Sequence, residues 1–237
     1  MEAYTILAKY YDSLMKDFNY DAYLNFIKGY AKGEGVDLCC GTGEMTIRLA
    51  KQKCRMIGQD LSQDMLNVAR DKARKNFQNI IFIQSNVVDF EAPHKMDFMT
   101  CVCDGFNYID GKDFKSAINI IAKFIKKDGY LIFDISSQYK LEKIIGNNTF
   151  CEDTDKSTYI WSNTLNGDSI EMQVSFFEKE KSGLYKRIDD MSKQYIHTLD
   201  FVKETLAKDF DVSVFDGQCF DEIKDTTQRY LFIAKRK

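Results

Sequence analysis

The run Gly35-Val-Asp-Leu-Cys-Cys-Gly-Thr-Gly-Glu-Met-Thr-Ile-Arg-Leu-Ala50 changes period in its middle, and that change restricts the chain more than any other stretch. Val36 to Cys40 is a short, largely apolar segment of buried-strand length, whereas Ile47, Leu49 and Ala50 belong to a helix that begins near Glu44. Between them stands Gly41-Thr42-Gly43. Two glycines at a strand-to-helix turn let the backbone approach a ligand and take dihedrals that a Cβ forbids, while the helix start offers unpaired N–H groups. The turn is expected to hold a nucleotide. A pyrophosphate site wants a third Gly or Ala at the helix start, and a phosphate loop wants Gly-Lys-Ser/Thr. Here Glu44, Met45 and Thr46 follow Gly43, and Asp37 precedes the turn. Two carboxylates repel a phosphate and suit a cationic ligand, which argues against a nicotinamide dinucleotide.

Nineteen positions after Gly41, the apolar run Met56-Ile57-Gly58 ends in Asp60. In doubly wound folds a carboxylate near this spacing accepts hydrogen bonds from ribose hydroxyls. A phosphate-free ribose beside a positive centre describes S-adenosylmethionine (SAM). Val36-Asp-Leu-Cys-Cys-Gly-Thr-Gly43 followed by Ile57-Gly-Gln-Asp-Leu-Ser-Gln-Asp-Met-Leu-Asn-Val-Ala-Arg70 resembles the first two motifs of class I SAM-dependent methyltransferases. The N-terminal Ala8-Lys-Tyr-Tyr-Asp-Ser-Leu-Met15 with Tyr20-Asp-Ala-Tyr23 is similar to the signature of small-molecule members, notably the YqeM-like group and the aminosugar N,N-dimethyltransferases.

The resemblance implies an α/β, Rossmann-like, doubly wound sheet of seven mostly parallel strands, the last one antiparallel, with an N-terminal helical lid. It implies SAM as cofactor and S-adenosyl-L-homocysteine as product. Cofactor contacts are expected from Tyr11, Tyr20, Asp37, Gly41, Thr42, Gly43, Asp60, Leu61, Met65, Asn86, Val87 and Cys103. The family usually has an acidic residue where Asn86 stands; Asn86 can still accept through its amide oxygen, less strongly than a carboxylate. Where base-modifying relatives carry an Asn/Asp-Pro-Pro-aromatic tetrad, this chain has Asp104-Gly-Phe-Asn-Tyr108, and Pro93 is its only proline.

With 237 residues the chain is one large domain or a domain with a substantial insertion. Net charge −3 gives no overall pull toward a polyanion, so nucleic-acid contact is not expected. Seven cysteines without a Cys-x-x-Cys, and only two histidines, fit a reduced, cytoplasmic chain with no metal site. No apolar run is long enough to span a bilayer, and no membrane association is expected.

Four segments follow in order. Residues 1–34 form the lid, with two helices read over 3–32 and Leu7, Tyr10, Tyr11 and Leu14 on one face of the first. Residues 35–137 form the SAM-binding core, with strands at Arg55 to Gln59, Ile80 to Gln84, Phe98 to Cys103 and Tyr130 to Ile135. Its helices are the one capped by Ser62 and another over Asp113 to Lys127. Residues 138–197 change texture: runs at Thr158 to Leu165, Ser169 to Phe177 and Leu184 to Asp190, joined by Asn166-Gly167 and Ser182-Gly183, read as an inserted antiparallel β-sheet. Its aromatics, among them Tyr159, Trp161, Phe177 and Tyr185, suit a pocket wall, a homodimer face or core packing equally. Residues 198–237 complete the core with a helix over Leu199 to Asp209 and strands at Val212 to Phe215 and Arg229 to Ala234.

Methyl transfer asks the protein chiefly to align the acceptor and exclude water; an amine must be neutral on attack and a hydroxyl needs a base. Tyr11, Asp104 and Asn107 are the expected catalytic residues, with Tyr108 nearby, while His197 reads as structural. The expected activity is methyl transfer to N or O of a small-molecule acceptor. An RNA or protein methyltransferase of the same fold, or a non-catalytic SAM-binding module, is the alternative.

Overall fold

The computed structural model describes residues 7–153 and 157–237; residues 3–6 of the expected first helix and the side chain of Leu7 lie outside what is described. The elements are α1 (Leu7–Leu14), α2 (Tyr20–Ile27), β1 (Glu34–Leu38), α3 (Glu44–Lys51), β2 (Arg55–Asp60), α4 (Gln63–Lys75), β3 (Ile81–Gln84), β4 (Met96–Cys101), α5 (Gly111–Phe124) and β5 (Ile125–Ser136). They continue with β6 (Thr149–Asp153), β7 (Ser157–Asn166), β8 (Ser169–Lys179), β9 (Tyr185–Tyr195), α6 (Leu199–Ala207), β10 (Phe210–Asp216) and β11 (Arg229–Arg236).

Seven strands form one sheet in the order β10-β11-β5-β4-β1-β2-β3. Neighbours run parallel except at β11, which is antiparallel to both β5 and β10. The chain winds outward from β1 through β2 to β3, then restarts at β4 on the other side. The crevice for a ligand therefore opens at the carboxyl ends of β1 and β4.

Alternation along the central strands supplies two cores. Leu131 and Phe133 of β5 and Phe232 of β11 face α5 and α6, where Phe114, Ile118, Ile121, Val202 and Leu206 are buried. Ile132, Leu231 and Ile233 face the other way, onto Tyr23 and Ile27 of α2 and Met45 and Leu49 of α3. Phe133 and Phe232 are register partners whose rings stack at 4.6 Å, which locks the antiparallel strand into the parallel sheet.

The second sheet has four antiparallel strands in the order β6-β7-β8-β9. Gly167 and Gly183 take φ of +62° and +85° at its two hairpin turns. Ile170, Met172 and Trp161 pack on Leu141 and Ile145 of a π-helical segment, Lys140–Ile145, that leaves the end of β5. Trp161 is thus partly buried against this cluster, whereas Tyr185 is half exposed.

Among the departures from expectation, two boundaries and one added strand have a clear physical reason. The fourth strand stops at Cys101 because Cys103 and Asp104 both take left-handed backbone, φ +63° and +64°. The fifth begins at Ile125, since its pairing with Met96 extends it back through Lys127-Asp-Gly129 at the expense of the helix. The strand Thr149–Asp153 has too short and mixed a pattern to stand out, and pairs with β7 as a sheet edge. Among the described residues no helix is long and apolar enough to cross a membrane.

Phe133 has no exposed surface, so Phe133→Ala is expected to cost about 3–5 kcal/mol, and Leu184→Ala, 69% exposed, within about 0.5 kcal/mol. Urea denaturation followed by circular dichroism checks both.

Candidate cofactor and acceptor site

The glycine turn is held from the neighbouring strand. Gly41 takes φ +53°, and a Cβ there would meet only Tyr11, at 3.8 Å, so its bare face is open to a ligand. Gly43, at φ +77°, instead lets α3 close on α4, since a Cβ would meet the Ala69 methyl at 3.0 Å. Asp60 at the tip of β2 accepts from the Gly41 amide at 2.8 Å and, through its other oxygen, from the Ser62 amide at 2.8 Å. Gln59 accepts from the Cys39 amide at 3.1 Å and donates to the Ser85 carbonyl at 2.5 Å. The paired motif is therefore one hydrogen-bonded unit.

A cavity of about 290 Å³ is walled by Gly41, Asp60, Leu61, Met65, Asn86, Val87, Tyr108 and Tyr195, among others. A pinched extension of about 20 Å³ lies between Tyr11, Tyr20, Asp37, Thr42 and Cys103. Tyr11, Cys39 and Cys103 line both spaces, so the two are adjacent. All but one of the expected cofactor residues are brought together here; Gly43 instead serves the helix packing. Met65 is both core and cavity wall, 3% exposed in α4. The Asn86 oxygen already accepts from Val88 N at 3.3 Å and keeps a second lone pair for a donor in the cavity.

Asp37 is buried and accepts from the hydroxyls of Thr46 at 2.5 Å and Thr100 at 2.6 Å. Burial pushes its carboxyl up to about 6 against the pull of those hydroxyls. Glu44 does not present a bare charge to the turn as expected: Lys72 binds it at 2.6 Å and Arg48 approaches to 3.4 Å. Lys72 also bonds Asp12 at 2.8 Å, and Thr42 donates to the other oxygen of Asp12 at 2.6 Å. Helix α1 is thereby fastened to the cofactor turn, and its Tyr10 ring stacks on Phe176 of β8 at 4.0 Å.

Two expected catalytic residues need correction. Asn107 is fully buried; its Nδ2 donates to the Tyr195 carbonyl at 2.9 Å and its Oδ1 accepts from Ser136 N at 2.9 Å. Both ends of the amide join the inserted sheet to β5, and the side chain lies off the cavity wall. Asp104 is bound on both oxygens by Arg229, at 2.7 and 2.8 Å. Burial would raise its carboxyl, but Arg229 and Lys140 beside it hold it below the usual range, so it is a poor base. Tyr11 does stand at the cavity, with burial, and then Cys103, Tyr20 and Tyr108, pushing its phenol well up; it stays protonated. His197 is structural: buried, it faces the Phe106 and Ile109 carbonyls at 3.1 Å each, and burial holds its pKa down.

Asp134, Arg229 and Lys140 are not among the expected site residues. Asp134 accepts from the amides of Cys103 at 3.0 Å and Asp104 at 2.8 Å and from the Tyr23 hydroxyl at 2.6 Å, and Arg229 bonds it from β11. A carboxylate alone inside the apolar run Tyr130 to Ile135 was its signal in the sequence.

Residues 36–129 match a methyltransferase domain family. The chain is 32% identical to a protein of Geobacillus sp. (strain WCH70) assigned to the methyltransferases, over 98% of this chain and 99% of the relative. It is 30% identical to the methyltransferase relative YqeM of Bacillus subtilis (strain 168), over 86% of this chain and 84% of that one. A SAM-dependent methyltransferase from Clostridium acetobutylicum ATCC 824 has the same fold, with TM-score 0.89 and 29% identity over 98% of both chains. The SAM-bound amino pentose methyltransferase CalS10 of Micromonospora echinaspora shares the fold at TM-score 0.76 with 15% identity, over 95% of this chain and 94% of its own. The chain belongs to the class I methyltransferases. It is a YqeM-like, SAM-dependent enzyme of that family.

The raised Asp37 carboxyl fixes a pH dependence. Its folded pKa of about 6 lies above the roughly 3.9 of an unfolded aspartate, so the native state binds the extra proton. The stability this group contributes is complete below about pH 4 and is lost as pH rises through about 6, on the order of 3 kcal/mol in all. Asp37→Asn should lack that loss: between pH 4 and 7 the wild type should fall by that amount relative to the variant in urea unfolding.

Proposed function

We propose that the enzyme methylates nitrogen, or less readily oxygen, of a small-molecule acceptor held where the N-terminal helices, the Cys103-Asp104 turn and the inserted sheet meet. The observation that carries this reading is that α1 and the inserted sheet flank the cavity. Helix α1 is fastened on one side by Asp12 to Thr42 and Lys72, and on the other by Tyr10 to Phe176, while Tyr195 of β9 forms part of the wall. A small molecule fits such a chamber better than an RNA or a folded protein.

The residues fit a phosphate-free nucleoside. Asp60 offers its carboxylate to ribose hydroxyls, Asn86 its amide oxygen to a base amino group, and Leu61, Met65 and Val87 an apolar bed. Asp37, Tyr11 and Tyr20 surround the narrow end, where carboxylate and aromatic faces both favour a cation. SAM supplies an electrophilic methyl group on a sulfonium, and the protein needs to contribute alignment and dryness. Tyr11 and Tyr20 stand beside Cys103 and can donate hydrogen bonds; burial raises both phenols, so neither is poised to take a proton. With Asp104 clamped and His197 facing two carbonyls, an amine acceptor, which can shed its proton to solvent, is favoured over a hydroxyl.

Isothermal titration calorimetry should show micromolar or tighter binding of SAM and S-adenosylhomocysteine. Asp60→Ala should weaken both by about tenfold to a hundredfold, the worth of one or two hydrogen bonds to a charged group. Release of S-adenosylhomocysteine with a panel of small amines, exceeding that with matched alcohols, supports the reading; turnover only with RNA or protein rejects it.

A further inference from the structure

A second cavity, of about 440 Å³, lies beyond the Cys103-Asp104 turn, between the N-terminal helices and the ends of β5 and β11. Phe18 and Phe220 give it aromatic wall, Asn19, Gln218 and Gln228 give it amides, and Lys140 and Arg229 line its floor. The two cations differ in how they are matched. Arg229 is spent on Asp104, which it grips with two parallel bonds, and on Asp134. Lys140 has three donors and far less to give them to. Its amino group bonds the Ser136 hydroxyl at 2.9 Å, and its nearest carboxylate oxygen, on Asp104, stands at 3.7 Å and already receives Arg229. Asp17, on the cavity wall, is the remaining acid that faces this space.

The Lys140 side chain is 21% exposed, and an ammonium largely removed from water is destabilising unless acceptors are supplied to it. Burial lowers the Lys140 pKa, and the Arg229 charge adds to that, which together outweigh the help from Asp104 and Asp134. Lys140 is the first residue of the π-helical segment that follows β5. We propose that this cavity is the acceptor's outer subsite and takes an anionic group, a carboxylate or a phosphate, with Lys140 as the ion-pairing residue. The role as acceptor subsite rests on the methyl-transfer reading above; the anion site itself does not.

Acetate, inorganic phosphate and, as neutral control, acetamide are titrated at constant ionic strength into ¹⁵N-labelled enzyme loaded with S-adenosylhomocysteine. One of the anions should give saturable shifts at the amides of Lys140 and Gln228, with acetamide silent. The tighter anion tells carboxylate from phosphate. Lys140→Met should weaken the anion at least about tenfold and Lys140→Arg should keep most of the affinity, as a charge-assisted hydrogen bond requires. No saturable shift with either anion in the wild type, or shifts unaltered in Lys140→Met, would overturn the proposal. Calorimetry with S-adenosylhomocysteine on the same samples separates the two ideas. Failure to bind it would reject the methyl-transfer reading while the anion titration, repeated without it, still decides the subsite.

Discussion

The carboxylate of Asp134 is the point on which the site's construction depends. Cys103 and Asp104 are consecutive non-glycine residues in left-handed backbone, a conformation that costs on the order of 1 kcal/mol or more at each. Their two amides both point at Asp134, which also receives Tyr23 from α2 and Arg229 from β11. One buried anion therefore ties the ends of three strands to the N-terminal helices. It also puts Cys103 at the mouth of the crevice that the sheet order creates. Removing one partner of such a buried pair leaves the other charge without compensation, which is the expensive case. The strain is tolerable only because the surrounding network over-determines it.

Much of the fold was legible because its signals are local. The period change at Gly41, the Asp60 spacing, the Ser62 cap and the alternation in β8 each need only a few neighbouring residues, and each describes what the structure contains. The antiparallel placement of the last strand came from resemblance, and the Phe133 and Phe232 pair gives it a physical basis. Boundaries failed where a non-local pairing outweighed local pattern, as at Ile125, or where backbone turned left-handed, as at Cys103.

The site was legible to the extent that its residues touch the cofactor crevice, and opaque where charges meet from distant parts of the chain. Asp104, Asp134, Lys140 and Arg229 meet only because β4, β5 and β11 are neighbours. A reading of Asp104 that lacks Arg229 makes it a free carboxylate. Asn107 failed for the same reason, as its partners Ser136 and Tyr195 lie 29 and 88 positions away. Glu44 was read as bare charge because Lys72, which neutralises it, sits a helix away. Residue type and spacing identify a polar group; only the fold says what it is already holding.

That distinction bears on how the chamber is built. The nucleoside portion of the crevice has room, but the end beneath Tyr11 and Tyr20 has about 20 Å³, little more than one water. Tyr11 lines both the roomy and the narrow part, and it is carried on the helix whose next residue, Asp12, bonds Thr42 and Lys72. The preceding residue, Tyr10, stacks on the inserted sheet. Three consecutive positions of α1 thus report to the sheet, the crevice and the glycine turn. The crevice, the glycine turn and the inserted sheet therefore all meet α1 within a single turn of helix, so the wall of the acceptor chamber and the wall of the cofactor crevice are built on the same three residues.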